Sequence, residues 1–320
     1  MRTRKLGSAG PEISVVGYGA WEAGGMAWGP NPPDEQTVAA MTAAFDAGMN
    51  WVDTAEVYGG GRSEELVAQA VAGRDVLVFT KVAPRPAGSG FHAAGVRAGA
   101  EASLRRLRRD VIDVFQLHWP DPGVAVEETW EAMAGLVDDG LVRWIGVSNF
   151  SASLLERCER VRHVDSLQPH FSMLHGDGRD DLFVQCEAAG TGIVAYGPLA
   201  YGLLTGRFDE TTTFSDDDWR SGKHGMRAYD ELFAPAPFRR NLAVVEALRP
   251  LARRKGVALA QLALAWVVHQ RGVTAAIAGS RSATHVRENA AAGDVALTPE
   301  DLEEVEAVLA GVGRRVAVGE

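Results

Sequence analysis

Cysteine is nearly absent: the chain has two in 320 residues, Cys158 and Cys186, far apart and in no Cys-x-x-Cys pair. This excludes a disulfide framework and a cysteine-built zinc site, and leaves both as small buried residues. No apolar run approaches the ~18 residues a membrane span needs, and no positively charged leader precedes an apolar stretch. A soluble, cytoplasmic protein with no membrane partner is therefore expected. Positive charge is also scarce, with 32 Lys and Arg against 42 Asp and Glu and a formal net charge of -10. That argues against broad contact with nucleic acid or anionic membrane. The one basic cluster, Arg105-Arg106-Leu107-Arg108-Arg109, follows an Ala-rich helical stretch and reads as its cationic last turn, where positive charge complements the helix dipole. No Ser/Gly/Pro-rich linker divides the chain, so residues 1–320 read as one domain.

Strand and helix patterns instead alternate along the chain with short connections. Two short segments around Gly7-Ser8-Ala9-Gly10-Pro11 predict a small hairpin, and Ser14–Gly19 is the first core strand. Further strands are expected at 50–53, 76–80, 112–118, 143–148, 164–168, 192–196 and 273–278. Helices are expected from Asp34 to near Gly48 and at 63–72, 92–109, 126–139, 151–162, 179–189, 238–270 and 283–292. Thr298-Pro299-Glu300-Asp301 starts one more, with a capping hydroxyl and Pro at the first helical position. About eight βα pairs fit a closed (β/α)8 barrel with an N-terminal hairpin and an extra C-terminal helix. The one long irregular stretch, 201–237, carries Trp219, Tyr229 and Phe233 and reads as a lid over substrate or cofactor.

Several motifs fail. Gly17-Tyr18-Gly19-Ala20-Trp21-Glu22 starts like a dinucleotide fingerprint, but its third glycine is replaced and prolines block the helix that should follow. No tyrosine has Lys four residues on, and Gly146-Val147-Ser148-Asn149-Phe150 is not a nucleophile elbow. Asp216-Asp217-Asp218 reads as a solvated helix start, since three adjacent carboxylates cannot all face one ion; no metal is expected. His163, His170 and His175 share no helical face and read as ordinary surface or core histidines.

Four polar residues close strand-like runs or the turn behind one: Asp53, Tyr58, Lys81 and His118. In a parallel sheet all four emerge at the carboxyl edge, where α/β enzymes hold their chemistry. Hydride reduction of a carbonyl leaves charge on oxygen, which needs a proton donor within hydrogen-bond reach. A Tyr could serve if a nearby ammonium lowered its pKa from about 10 toward neutrality.

The order of these residues and their surroundings resemble the aldo-keto reductase superfamily from the hairpin to about Asn289. Gly48-Met49-Asn50-Trp51-Val52-Asp53-Thr54-Ala55-Glu56-Val57-Tyr58-Gly59 looks like its signature around the catalytic Asp and Tyr. Thr80-Lys81 and Leu117-His118-Trp119-Pro120 look like its Lys and His motifs. The resemblance implies Tyr58 as general acid, Lys81 as its tuning partner, Asp53 as the orienting carboxylate and His118 as the carbonyl-positioning donor. It further implies that Ser148, Asn149 and Gln168 hold the nicotinamide carboxamide and that Tyr196 stacks on the ring. Gly197, Pro198, Leu199, Gly202 and Leu203 would lie over the pyrophosphate. The family commonly has Ser where Gly197 stands, which leaves backbone amides to carry more of that contact.

Gly279, Ser280, Arg281, His285, Glu288 and Asn289 resemble the adenosine-phosphate segment, and Arg281 as a bidentate partner for a 2′-phosphate favours NADPH over NADH. Trp21 and Trp119 are expected to wall a pocket for a small carbonyl substrate, widened by Ala83, with Phe91 as a further candidate. The implied activity is NADPH-dependent reduction of aldehydes or ketones to alcohols. Two alternatives are a cofactor-binding regulatory subunit, as in potassium-channel β subunits, and an NAD-dependent dehydrogenase working oxidatively. Oligomeric state is not readable.

Overall fold

The computed structural model describes residues 1–84, 91–176 and 180–311. Residue 179 of the expected 179–189 helix and residues 312–320 of the expected domain lie outside them.

Eight parallel strands close into a barrel: β3 (Val16–Gly19), β4 (Trp51–Asp53), β5 (Leu77–Val82), β6 (Ile112–Leu117), β7 (Val142–Ser148), β8 (Ser166–Gln168), β9 (Gly192–Ala195) and β10 (Val273–Ala278), with β10 pairing back onto β3. Before them, β1 (Thr3–Lys5) and β2 (Glu12–Ser14) pair antiparallel. The outer layer begins with α1 (Asp34–Asp46), α2 (Arg62–Ala70), α3 (Ala93–Leu107), α4 (Val126–Asp138), α5 (Ala152–Glu159) and α6 (Asp180–Ala189). It continues with α7 (Arg227–Leu232), α8 (Pro235–Lys255), α9 (Leu259–His269), α10 (Ala283–Ala291) and α11 (Pro299–Gly311). The strands are mostly buried along their length, as expected where helices cover a parallel sheet.

Side-chain alternation splits the barrel interior into an apolar and a polar part. Trp51, Phe79, Val114, Val194 and Ala275 pack as one cluster, closed by Leu6 and Ile13 of the hairpin segment. Hairpin and barrel are tied there, since Ser8 N–H donates to the Gly190 carbonyl and Trp144 Nε1 to that of Ala9. Two residues further along the strands, Asp53, Lys81, Gln116 and Gln168 are each almost completely buried. The hairpin therefore shuts the amino end, and the polar layer opens at the carboxyl end.

Two expectations are corrected. The 238–270 helix is two helices: Gly256, at φ 66°, ends α8 in the left-handed conformation, and α9 restarts after Ala258. The stretch 201–237 is also more regular than expected, holding α7 and the first residues of α8. The basic cluster does more than offset a helix dipole. Arg106 Nε lies 2.5 Å from Glu64 Oε2, Glu64 is wholly buried, and its Oε1 accepts from Thr80 Oγ1 at 2.6 Å. Arg109 donates to Asp113 at 2.9 Å and to the Val76 carbonyl at 2.7 Å. These ion pairs clamp α2 and α3 to the strand that carries Lys81.

Removing one partner of a buried pair leaves an uncompensated charge, which costs about 3–5 kcal/mol. Arg106→Leu should lower the unfolding free energy by that order in urea titrations. A change below about 1 kcal/mol would show that Glu64 finds water instead.

Candidate active site

Strand register brings the expected tetrad together. Asp53 ends β4 opposite Phe79, and Lys81, two residues on in β5, points to the same side. Lys81 is fully buried, and its Nζ donates to Asp53 Oδ1 at 2.6 Å, to the Thr54 carbonyl at 2.8 Å and to Tyr58 Oη at 3.3 Å. Tyr58 begins a short 3-10 turn followed by Gly59, Gly60 and Gly61, all at positive φ. Gly59 is needed because a Cβ there would stand 2.2 Å from the Gly24 carbonyl oxygen. His118 follows β6 with its ring edge-on to Tyr58 at 5.6 Å.

The electrostatics differ in one respect from expectation. Burial pushes the Tyr58 phenol up from its ordinary value, and the Lys81 ammonium opposes this without overcoming it. Tyr58 therefore stays protonated. Burial would lower Lys81, but Asp53 and Tyr58 outweigh it and leave the ammonium held above its usual range. Burial, then the Lys81 charge, holds His118 well below 6.5, so its imidazole is neutral at pH 7.

The expected carboxamide set is also contiguous. Ser148 Oγ donates to the Gln168 carbonyl at 2.9 Å; Asn149 Nδ2 donates to Ser148 Oγ at 3.1 Å and to the His118 carbonyl at 3.2 Å. Tyr196 Oη donates to Asn149 Oδ1 at 2.8 Å. Gln168 Nε2 donates to Asp53 Oδ2 at 2.8 Å, a link the sequence does not reveal. Ala200, Tyr201 and Gly202 follow Pro198 and Leu199 in a left-handed run at φ 46°, 55° and 103°, with Leu203 buried behind it.

At the other end, Gly279 approaches the Gly19 carbonyl too closely for any Cβ. Ser280 Oγ lies 3.4 Å from His285 Nδ1, Glu288 is exposed and Asn289 is buried. Arg281 departs from expectation: it donates to the carbonyls of Pro30 at 3.0 Å and Trp28 at 2.8 Å and faces Glu22 at 3.4 Å. Its guanidinium ties down the 22–30 loop. The exposed Arg207 instead touches His285 Nε2. Sequence reading missed Arg207, an isolated Arg in an irregular loop.

Trp21 lies 6.3 Å from the Tyr58 ring, and Trp119 lies 4.5 Å from that of His118. Around Trp21, Trp28 meets it edge-on at 4.9 Å, Tyr201 at 5.9 Å, and the wholly buried Trp219 stacks at 6.3 Å. Phe233 packs on Trp219, so two of the aromatics expected to form a lid join this cluster. Phe91 does not: it lines a small cavity with Pro120, Val126, Phe150 and Leu154, between α4 and α5. Among the described residues no cluster of His, Cys, Asp or Glu could hold a metal ion, and no helix is long and apolar enough to cross a membrane.

A family model described as "Aldo/keto reductase family" matches residues 15–310. The chain belongs to the aldo/keto reductase family. As a member it is an oxidoreductase. It is 34% identical to the aldo-keto reductase YhdN of Bacillus subtilis, over 97% of this chain and 94% of that one. The glycerol dehydrogenase AKR11B4 of Gluconobacter oxydans superposes with a TM-score of 0.86 at 30% identity, covering 99% and 98% of the two chains. An aldo/keto reductase from Klebsiella pneumoniae, solved with NADP and acetate, superposes with a TM-score of 0.74 at 30% identity over 96% of each.

A histidine held neutral affects stability with a definite sign. Below about pH 6.5 the unfolded chain takes up a proton that folded His118 does not, so stability is full above that pH and falls as pH drops through it. In His118→Asn the urea midpoint should therefore fall less between about pH 7.5 and about 5.5 than in the parent. Equal falls would mean that His118 protonates freely in the fold.

Proposed function

We propose that this aldo/keto reductase uses NADPH to reduce aldehydes or ketones to alcohols, with Tyr58 as the proton donor. The observation that carries the reading is the Tyr58 hydroxyl, protonated and 3.3 Å from a buried ammonium, with a neutral His118 imidazole beside it. Residues at the barrel's carboxyl edge fit the cofactor: the Ser148, Asn149 and Gln168 polar set suits a carboxamide, and the Tyr196 ring offers a flat face. The left-handed run at 200–202, closed by Ala200 N–H to the Gly197 carbonyl and Gly202 N–H to that of Leu199, would lie over the pyrophosphate. Arg207 beside His285 suits a 2′-phosphate, with Arg281 holding the adjoining loop. The NADP complex of the Klebsiella relative supports the same choice.

When bound, NADPH supplies the hydride. Tyr58 then gives its proton to the carbonyl oxygen as charge develops there, and Lys81 stabilises the phenolate left behind. Asp53 keeps Lys81 charged and aimed, and His118 donates from its neutral ring to the same oxygen, holding the carbonyl in place. Trp21 and Trp119 wall the substrate, and the 201–237 segment acts as a lid that excludes water through Trp219 and Phe233.

The test is loss of reduced-nicotinamide absorbance with NADPH or NADH and a panel of aldehydes, ketones and sugars. Removing a general acid typically costs about 10²–10⁴ in rate, so Tyr58→Phe should lose turnover on that scale while still binding NADPH. Tight NADPH binding by the parent with no turnover on any carbonyl would favour a cofactor-binding regulatory protein instead.

A further inference from the structure

His170 lies outside the tetrad and the Ser148, Asn149 and Gln168 set. Its main chain is laced to that of Tyr196: Tyr196 N–H donates to the Pro169 carbonyl at 2.9 Å, and Phe171 N–H to the Tyr196 carbonyl at 3.0 Å. The two rings lie almost parallel, 5.0 Å apart at 11°. His175 also stacks on His170, at 3.9 Å and 26°, and its Nδ1 lies 3.4 Å from Glu231 Oε2 of α7. His170 is only 7% exposed. The row runs from the lid helix, through two imidazoles, to the tyrosine at the cofactor site.

Gly197 explains why the row can form. It stands at φ +67°, and a Cβ built there would lie 2.7 Å from both Cδ2 and Nε2 of His170. The imidazole thus occupies the place a side chain at 197 would take. A glycine at 197 and a ring at 170 are one packing solution.

We propose that His170 is a cofactor-positioning residue that fixes the plane of the Tyr196 ring and hence the surface on which the nicotinamide stacks. Tyr196 is held at its hydroxyl by Asn149 and backed by the nearly parallel His170 ring, so two contacts set its orientation. Without the backing ring Tyr196 can tilt into the space left behind, and a stacked aromatic pair of this kind is lost. This inference rests on the reading of Tyr196 as the nicotinamide platform.

The experiment titrates NADPH by fluorescence and follows single-turnover hydride transfer in His170→Ala, His170→Phe, Gly197→Ser and the His170→Ala/Gly197→Ser double variant. His170→Ala should bind NADPH about three- to tenfold more weakly and slow transfer, while His170→Phe, which keeps a flat ring, returns to within about twofold of the parent. Gly197→Ser carries backbone strain in either background, but its clash exists only beside His170. Its cost should therefore shrink in the double variant. Parent-like affinity and transfer in His170→Ala, even with a lowered melting temperature, would overturn the proposal; so would an equal cost of Gly197→Ser in both backgrounds. Tyr196→Ala separates the two readings. Unchanged NADPH affinity there would remove the platform itself, whereas weakened binding there with a silent His170→Ala would sink only the role of His170.

Discussion

A fully buried ammonium sets the terms for the carboxyl end of this barrel. Lys81 cannot remain charged at 0% exposure unless its three protons find acceptors, because desolvation of an unpaired ion costs several kcal/mol. Asp53, the Thr54 carbonyl and Tyr58 are those acceptors, and all three come from β4 and the turn after it. Their positions are in turn fixed from behind. Thr54 Oγ1 meets Ser63 Oγ at 2.8 Å, Ser63 reaches the Ala20 carbonyl, and Glu56 accepts from Ala83 N–H. A loop held by so many directional contacts can keep Tyr58 at one distance from Lys81, a constancy that the proposed proton donor would need.

The same ammonium explains why the polar layer extends beyond the tetrad. Asp53 uses one oxygen for Lys81, and burial requires a partner for the other, which Gln168 provides. Gln168 thereby joins the tetrad to Ser148 and Asn149, so the proposed cofactor contacts and the proposed proton donor share one network. Such networks couple their members more strongly than pairwise accounting suggests.

The barrel was legible in the sequence because its strands are β-branched runs ending on polar residues, with helices of the right period between them. Asp53, Lys81 and Gln168 each sit at or near such an ending, and register carries them to one edge without further information. Contacts that depend on loop paths were not legible. His170 and His175 share no helical face because they lie in an irregular turn, where Ser172 and His175 pair; a test of helical spacing could not bring them together. Arg281 sits in a motif that suggests phosphate, but its partners are carbonyls of a loop some 250 residues earlier in the chain, which no local pattern encodes. The helix break at Gly256 was readable in principle, since glycine is the usual left-handed cap, but apolar periodicity on both sides hid it.

The direction of the Tyr58 shift bears on how the site would work. A phenol already ionised at neutral pH could not donate, so a general acid must keep its proton until the reaction calls for it. Burial does this by penalising the phenolate, while Lys81 moderates the penalty. The ammonium's attraction grows only as negative charge appears on the tyrosine oxygen, so it acts on the charged state and little on the resting one. Apolar walls strengthen that attraction by excluding water, and Trp21, 6.3 Å from the Tyr58 ring and packed against Trp28, Tyr201 and Trp219, provides them. Burial and ammonium thus act at different moments, the first keeping the proton in place and the second easing its departure. The aromatic cluster formed with the 201–237 segment serves both.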